Sequence, residues 1–484
     1  MNSEAQITEP KQTKVSFRTQ PTRIVRRFLS FHKNPVIIIF LSALIGILAG
    51  LLCTYFDIAI SWVLDGRKDF VASQGGVGFI TVIGVVISSS LLACFGFYLV
   101  HRFAPEASGS GIPEIEGALD DVRPVRWWRV IPVKFFGGIG TIGAGMVLGR
   151  EGPSVQMGGS VGKMIYDIFR VKDKEGQHTL VASGAAAGLA AAFNAPLAGI
   201  MFVVEEMRPQ FRYNLVSIKA VMIAAIMATI TCRVLRGQDA MITVPIYDAA
   251  PLSSLILFLL LGMIFGIIGV AFNRMVVITM DAFALFHRNE QKRFLQLGAL
   301  LGAFFGLMLM LLPKLTGEGV NLIPLATHGS FSLSVLFLLF FARLATTLAC
   351  FSSGAPGGVF APMLALGTLF GTCFGTICAD LFPQMHLDPG MFAIAGMGAL
   401  FAATVRAPVT GILLVMELTH NYDLILPLLI TTLGATMAAQ ALGGKPIYSQ
   451  LLARTLAKQK AQQAQVEADK VDAQMQQSQP PAGN

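Results

Sequence analysis

The runs Pro35 to Phe56, Pro251 to Phe272 and Phe294 to Leu312 contain no formally charged side chain. At 1.5 Å rise per residue, roughly 20 helical residues cross the ~30 Å hydrocarbon core of a bilayer, and each run is about that long. The bulk composition agrees, since 54% of the 484 residues are hydrophobic and only 13% are charged. A soluble chain carries about a quarter charged residues. Half that charge leaves too little polar surface to cover a globule of this length in water. The chain reads as a polytopic integral membrane protein.

The first run is not a cleavable signal. It begins after 34 residues, lacks a small-residue cleavage site and is followed by many more apolar segments. The net charge of +8 suggests a nucleic-acid partner, but its placement argues against one. Lys11, Lys14, Arg18, Arg23, Arg26, Arg27 and Lys33 precede the first run. Further clusters lie at Arg123 to Lys134, Arg170 to Lys174, Arg208 to Lys219, Arg288 to Arg293 and Lys445 to Lys460. The stretches Asp239 to Pro251 and Asp380 to Pro389 carry acids and neither Lys nor Arg. This alternation is the positive-inside pattern and predicts cytoplasmic termini. The six cysteines, Cys53, Cys94, Cys232, Cys350, Cys373 and Cys378, show no CxxC or Cys/His metal spacing and read as reduced packing residues.

Three zones follow. Residues 1–34 form a basic arm and residues 35–442 a membrane body in two halves, roughly 35–235 and 250–442. Residues 443–484 are expected to be a cytoplasmic helix followed by a disordered tail, because so few are apolar. The body is broken as well as hydrophobic. Leu344 to Ala379 carries no charge but is interrupted by Gly354-Ala355-Pro356-Gly357-Gly358. Short, Gly/Pro-broken apolar segments at matched places in two halves point to a transporter binding site. Residues 184–206 match residues 396–417: Pro196 pairs with Pro408, Gly199 with Gly411 and Glu205 with Glu417, each 212 apart by subtraction. Upstream, Gly149-Arg-Glu-Gly-Pro153 pairs with Gly358-Val-Phe-Ala-Pro362 at an offset of 209. An internal duplication explains both blocks. Parallel and inverted arrangements both fit the pattern.

Three loops carry the candidate chemistry: Gly109-Ser110-Gly111-Ile112-Pro113, Gly149-Arg150-Glu151-Gly152-Pro153, and Gly358-Val359-Phe360-Ala361-Pro362. Each has glycine in its approach and proline where a first helical turn tolerates the missing N–H. A helix starting there points free N–H groups and a positive dipole end at whatever lies in front of it. Within a membrane, such ends make an anion site without a full positive charge, so the anion can leave again. Glu151, in the second loop, is costly there unless protonated or held by donors. Ionised, it is itself an anion able to occupy a helix-end site; protonated, it must leave.

These loops resemble the signature of the CLC family of chloride channels and chloride/proton exchangers, and the likeness spans about residues 35–460. The resemblance implies an all-α membrane fold of two inverted halves with many tilted and partial helices, in a homodimer with one pore per subunit. It is similar above all to the bacterial exchangers, which implies the bacterial inner membrane, chloride and protons as substrates, and no cofactor or metal. Residue by residue, it implies that Ser110 and Tyr448 are hydroxyl donors to chloride and that Val359 and Phe360 are backbone donors. It makes Glu151 the gating glutamate and Glu206 the internal proton-transfer glutamate. Without the resemblance, Tyr448 reads as an interfacial aromatic, Ser110 as a helix cap and Glu206 as the surface partner of Arg208 or Arg212. Lys219 and Arg343 read as snorkelling or structural cations. The resemblance further implies that a carboxylate at Glu206 favours exchange over a passive channel and that Ser110 favours chloride over nitrate. The sequence holds no HExxH, no GxSxG and no paired intramembrane Asp to support a membrane enzyme.

Overall fold

The computed structural model of the protein describes residues 35–478, apart from 77, 208–213, 239–240 and 289. The arm 1–34, Arg208, Arg212 and Pro480-Pro481 lie outside the described residues.

A bilayer interior offers no water to backbone amides, so a spanning segment must satisfy its hydrogen bonds within itself. The described residues accordingly form helices, with one isolated antiparallel bridge between Gly149 and Gly358. The first half runs α1 (Pro35–Ser73), α2 (Phe79–Phe103), α3 (Ile112–Leu119), α4 (Trp127–Gly143), α5 (Glu151–Ile168), α6 (Lys174–Phe193), α7 (Pro196–Glu206) and α8 (Leu215–Arg236). The second runs α9 (Leu255–His287), α10 (Gln291–Leu311), α11 (Leu322–Thr327), α12 (Leu333–Ser352), α13 (Phe360–Leu381), α14 (Pro389–Val405), α15 (Pro408–Thr419) and α16 (Ile425–Ala441). The order of sizes repeats: a long pair, a very short helix, three of middle length, a short one and a closing span. Helices α1, α2, α8, α9, α10, α12, α13 and α16 are long and apolar enough to cross a membrane.

Within each half the matched helices pack alike. Helix α5 lies against α6, and α13 against α14, so closely that only glycine fits. A Cβ at Gly158 would strike the Gly184 carbonyl, and one at Gly367 the Gly396 carbonyl. Small residues one turn apart let helix backbones approach when burial from water supplies no driving force.

The relation between the halves is set where α7 meets α15. Glu205, near the end of α7, accepts hydrogen bonds from the Val409 and Thr410 N–H groups at the start of α15, at 3.0 and 2.6 Å. Glu417, near the end of α15, accepts from Leu197 and Ala198 at the start of α7, at 3.0 and 2.8 Å. Each helix thus lays its last turn on the other's first, so the two run antiparallel. Since they are equivalent elements, the halves are inverted, the arrangement that the sequence pattern left open.

Two basic residues differ in setting from the clusters around them. Lys134 was grouped with the basic stretch Arg123 to Lys134, yet it is fully buried within α4. Arg343 is also fully buried and structural: its guanidinium donates to the carbonyls of Lys314, Thr316 and Gly317. Lys219 is exposed near the start of α8. The six cysteines are free thiols. Helix α17 spans Ile447–Ser478 and so carries helical backbone through most of the segment expected to be a tail. Its Gln, Ala and Lys residues are good helix formers even without a core.

Candidate functional site

Three helices begin at one place in the interior. Gly111, Arg150 and Val359 stand at the N-terminal ends of α3, α5 and α13, and none receives a side-chain cap. Ser110 therefore does not cap α3. The three loops are tied to each other through backbone. Gly149 N–H donates to Gly358 O at 2.7 Å and Gly358 N–H to Gly149 O at 2.6 Å, while Gly357 N–H donates to Gly109 O at 3.1 Å. Gly152 packs directly on Ser110, where a Cβ would overlap the Ser110 hydroxyl.

The first loop is held from behind by Lys134, whose ammonium donates to Ala107 O at 2.9 Å and Gly109 O at 2.6 Å. Ser108 Oγ donates to Gly354 O at 2.9 Å and Thr141 Oγ1 to Pro356 O at 2.8 Å, tying the first and third loops together. These contacts occupy carbonyl oxygens beside the first and third loops. The donors lie at the helix heads.

Those donors converge. Ser110 and Tyr448 are buried with their hydroxyls facing one another, and among the described residues neither hydroxyl has any other hydrogen-bond partner. Tyr448 is fully buried at the start of α17, so it is no interfacial aromatic; its ring stacks on Phe360 with centroids 6.2 Å apart. Val359 and Phe360 occupy the cap and first position of α13, where backbone N–H groups have no helical partner. Glu151, the first residue of α5, is buried with its carboxylate against its own N–H and the Ala361 N–H, and its Oε2 has no partner. The carboxylate thus lies at the head of α13, in line with the helix-end anion reading. Ile112 and Pro113 open α3, while Pro153 and Pro362 fall in the first turns of α5 and α13. Arg150 turns away to pair with Asp57, which also pairs with Arg236.

Glu206, at the end of α7, is buried with its Oε1 unpartnered. Its neighbour among the described residues is a second buried carboxylate, Glu116 of α3, placed for a carboxyl–carboxyl hydrogen bond when one of the two carries a proton. Glu116 was missed in the sequence. Glu114, two residues earlier, is neutralised by bidentate bonds from Arg123 at 2.7 and 2.9 Å, while Glu116 has no cation among the described residues. Tyr448 lies within Coulombic range of Glu151, Glu116 and Glu206, so the two carboxylate sites flank the hydroxyl pair.

Comparison with known proteins gives the family. Residues 89–440 match the family described as voltage gated chloride channel. The chain is 62% identical over 443 residues to an H(+)/Cl(-) exchange transporter ClcA of Vibrio cholerae serotype O1, covering 92% of this chain and 95% of that protein. It is 57% identical over 440 residues to the protein of the same name from Salmonella agona, covering 91% and 93%. Among solved structures, a slow cyanobacterial Cl-/H+ antiporter superposes with a TM-score of 0.83 at 42% identity, covering 87% of this chain and 99% of that one. The chain belongs to the CLC family, the family of the voltage gated chloride channels.

Proposed function

We propose that this protein is a secondary active transporter that exchanges chloride for protons. The observation that carries the proposal is the Glu151 carboxylate lying on the Ala361 N–H at the head of α13, beside the unused N–H groups of Val359 and Phe360. An ionised Glu151 and a chloride ion want the same donors. Protonation removes the carboxylate's charge, weakens its hold on the helix end and opens the site to the anion. One side chain thereby makes the two substrates alternate.

The remaining residues divide the work. Ser110 and Tyr448 each offer one neutral O–H donor, enough to select and orient a small anion without trapping it. Backbone donors of Val359 and Phe360 complete the shell with the partial charge of a helix end. On the other side, Glu206 and Glu116 form a carboxylate pair with no cation between them among the described residues. Two such groups repel when both are charged, so a proton delivered there is shared. No step calls for a cofactor or a metal, and the readings as a passive channel or a membrane enzyme leave the Glu206–Glu116 pair without a role.

The positive-inside pattern supports a multi-pass protein of the bacterial inner membrane with both termini cytoplasmic. The same pattern supports a Glu206 that faces the cytoplasm and a loop before α11 that lies outside. Each subunit contains a complete set of loops, so the homodimer expected from the family resemblance would contain one pore per subunit.

The test is simultaneous recording of chloride and proton flux in liposomes containing the purified protein. Chloride moving down its gradient should drive protons uphill, and Glu151→Gln should abolish proton movement while chloride still passes. Proton pumping that persists in Glu151→Gln would refute the assignment, and chloride flux without proton movement in the parent would make it a channel.

A further inference from the structure

Outside the anion site, a cavity of about 490 Å³ opens on the side of the α10–α11 loop. Its charged walls are Asp57 from α1, Arg150 from the second loop, and Lys314 and Glu318 from the segment before α11. Arg236 reaches it through its pair with Asp57. Glu318 has no role in the mechanism above, yet it lies within Coulombic range of Glu151, and Arg150 lies within range of both carboxylates.

Glu318 is also held in place. The fully buried Arg343 donates to the carbonyls of Lys314, Thr316 and Gly317, at 3.2, 2.9 and 2.8 Å. Gly317 N–H donates to Gly145 O at 3.0 Å, which fastens the Glu318 loop to the segment leading into Glu151. Gly319, with φ of +89°, sits so close that a Cβ would overlap the Arg343 guanidinium. The backbone that carries Glu318 is thus fixed by a buried arginine. Its position relative to Glu151 is part of the fold.

We infer that Glu318 is a second acidic group of the outer gate, which sets the external pH range over which Glu151 takes up its proton. A fixed negative charge beside Glu151 raises the proton affinity of that carboxylate, and Arg150 opposes it. Asp57 holds Arg150 on the other side, so Arg150 is shared between an acid that positions it and an acid that tunes the gate. The inference rests on the exchanger reading. Glu318 is a positioning residue and does not itself touch the anion.

The test is the dependence of coupled transport on external pH in liposomes, for the parent and for Glu318→Asp, Glu318→Gln and Glu318→Lys. Half-maximal transport should stay in place for Asp, move about one pH unit to the acid side for Gln, and move further for Lys. In a Glu151→Gln background the same substitutions should leave the pH dependence of chloride flux unchanged. Midpoints that coincide, or that fail to follow charge, would overturn the inference. Should Glu318→Gln fail to fold, the Asp and Lys variants still give the ordering. A parent without proton coupling would refute the exchanger reading instead, so the two failures are separable.

Discussion

Gly149 and Gly358 exchange both of their backbone hydrogen bonds, at 2.7 and 2.6 Å, although they lie 209 positions apart by subtraction. They are equivalent residues of the two halves, so this antiparallel bridge is a local signature of the inverted duplication. From it, α5 runs toward the basic Arg170 to Lys174 loop and α13 toward the acidic Asp380 to Pro389 stretch. The two helix heads meet in the interior with their dipoles opposed in direction and their positive ends together. Duplication and anion site are the same piece of geometry.

Gly358→Ala should damage that site specifically. Its Cβ would stand 2.9 Å from Gly152 N and 3.2 Å from Gly149 O, both backbone atoms that cannot step aside. Overpacking of this kind costs about 1–3 kcal/mol. Prying the two heads apart should weaken chloride binding by roughly tenfold, which corresponds to about 1.4 kcal/mol. Isothermal titration calorimetry on the solubilised protein checks this; unchanged affinity would mean that the bridge does not shape the site.

Glu205→Gln should lower stability and leave coupling intact. The carboxylate accepts from Val409 N–H, Thr410 N–H and the Thr410 hydroxyl, the last at 2.7 Å. Bonds to a charged acceptor at a helix start are worth about 1.5–3 kcal/mol. A thermal melt should show a clear drop, matched by Glu417→Gln on the other side of the pseudo-axis. Proton transport per chloride should stay at the parent value in both variants. A loss of coupling in Glu205→Gln would mean that this carboxylate handles protons.

The equivalence of Glu205 and Glu417 was legible in the sequence through the duplication, but not that each carboxylate holds the first turn of the other's helix. The three loops were legible for a similar reason: glycine approaches and first-turn prolines are local signals. Contacts made across the fold were not. Lys134 follows Arg123, Arg126 and Arg129 in the chain, and only the folding of α4 behind the first loop buries its ammonium on Ala107 O and Gly109 O. Glu116 stands two residues from Glu114, and nothing local says that Arg123 will take one and leave the other. Tyr448 gave no sign of burial because the residues that cover it, Phe360 above all, lie far away in sequence.

The proposed homodimer should come apart without loss of transport. Ile226 and Ile230 of α8, and Leu429 and Leu433 of α16, present exposed apolar side chains on matched helices of the two halves. Helices associate in lipid through close packing rather than through burial from water. Ile230→Trp combined with Leu433→Trp should therefore yield monomers by light scattering in detergent. Reconstituted monomers should still exchange chloride for protons, since each chain holds all three loops. Inactive monomers would mean that the pore is shared.

Glu206→Gln separates the exchanger from a channel of the same fold. Glu206 has no ion pair among the described residues, and its buried neighbour is another carboxylate, Glu116. A surface ion pair would contribute only about 0–1 kcal/mol, and its loss would leave transport alone. A proton-transfer residue behaves differently. Glutamine keeps the shape and a hydrogen-bonding amide but cannot exchange a proton, so the path between the cytoplasm and Glu151 would be cut at its inner end. Ser110, Tyr448 and the head of α13 remain, so chloride should still pass and Glu151 should still gate it. In the parent, the reversal potential should shift with an imposed proton gradient. In Glu206→Gln it should follow chloride alone. Glu116→Gln supplies the companion measurement: if it only retards proton movement, Glu206 is the transfer group and Glu116 its partner. A Glu206→Gln reversal potential that still moves with the proton gradient would exclude Glu206 from the proton path.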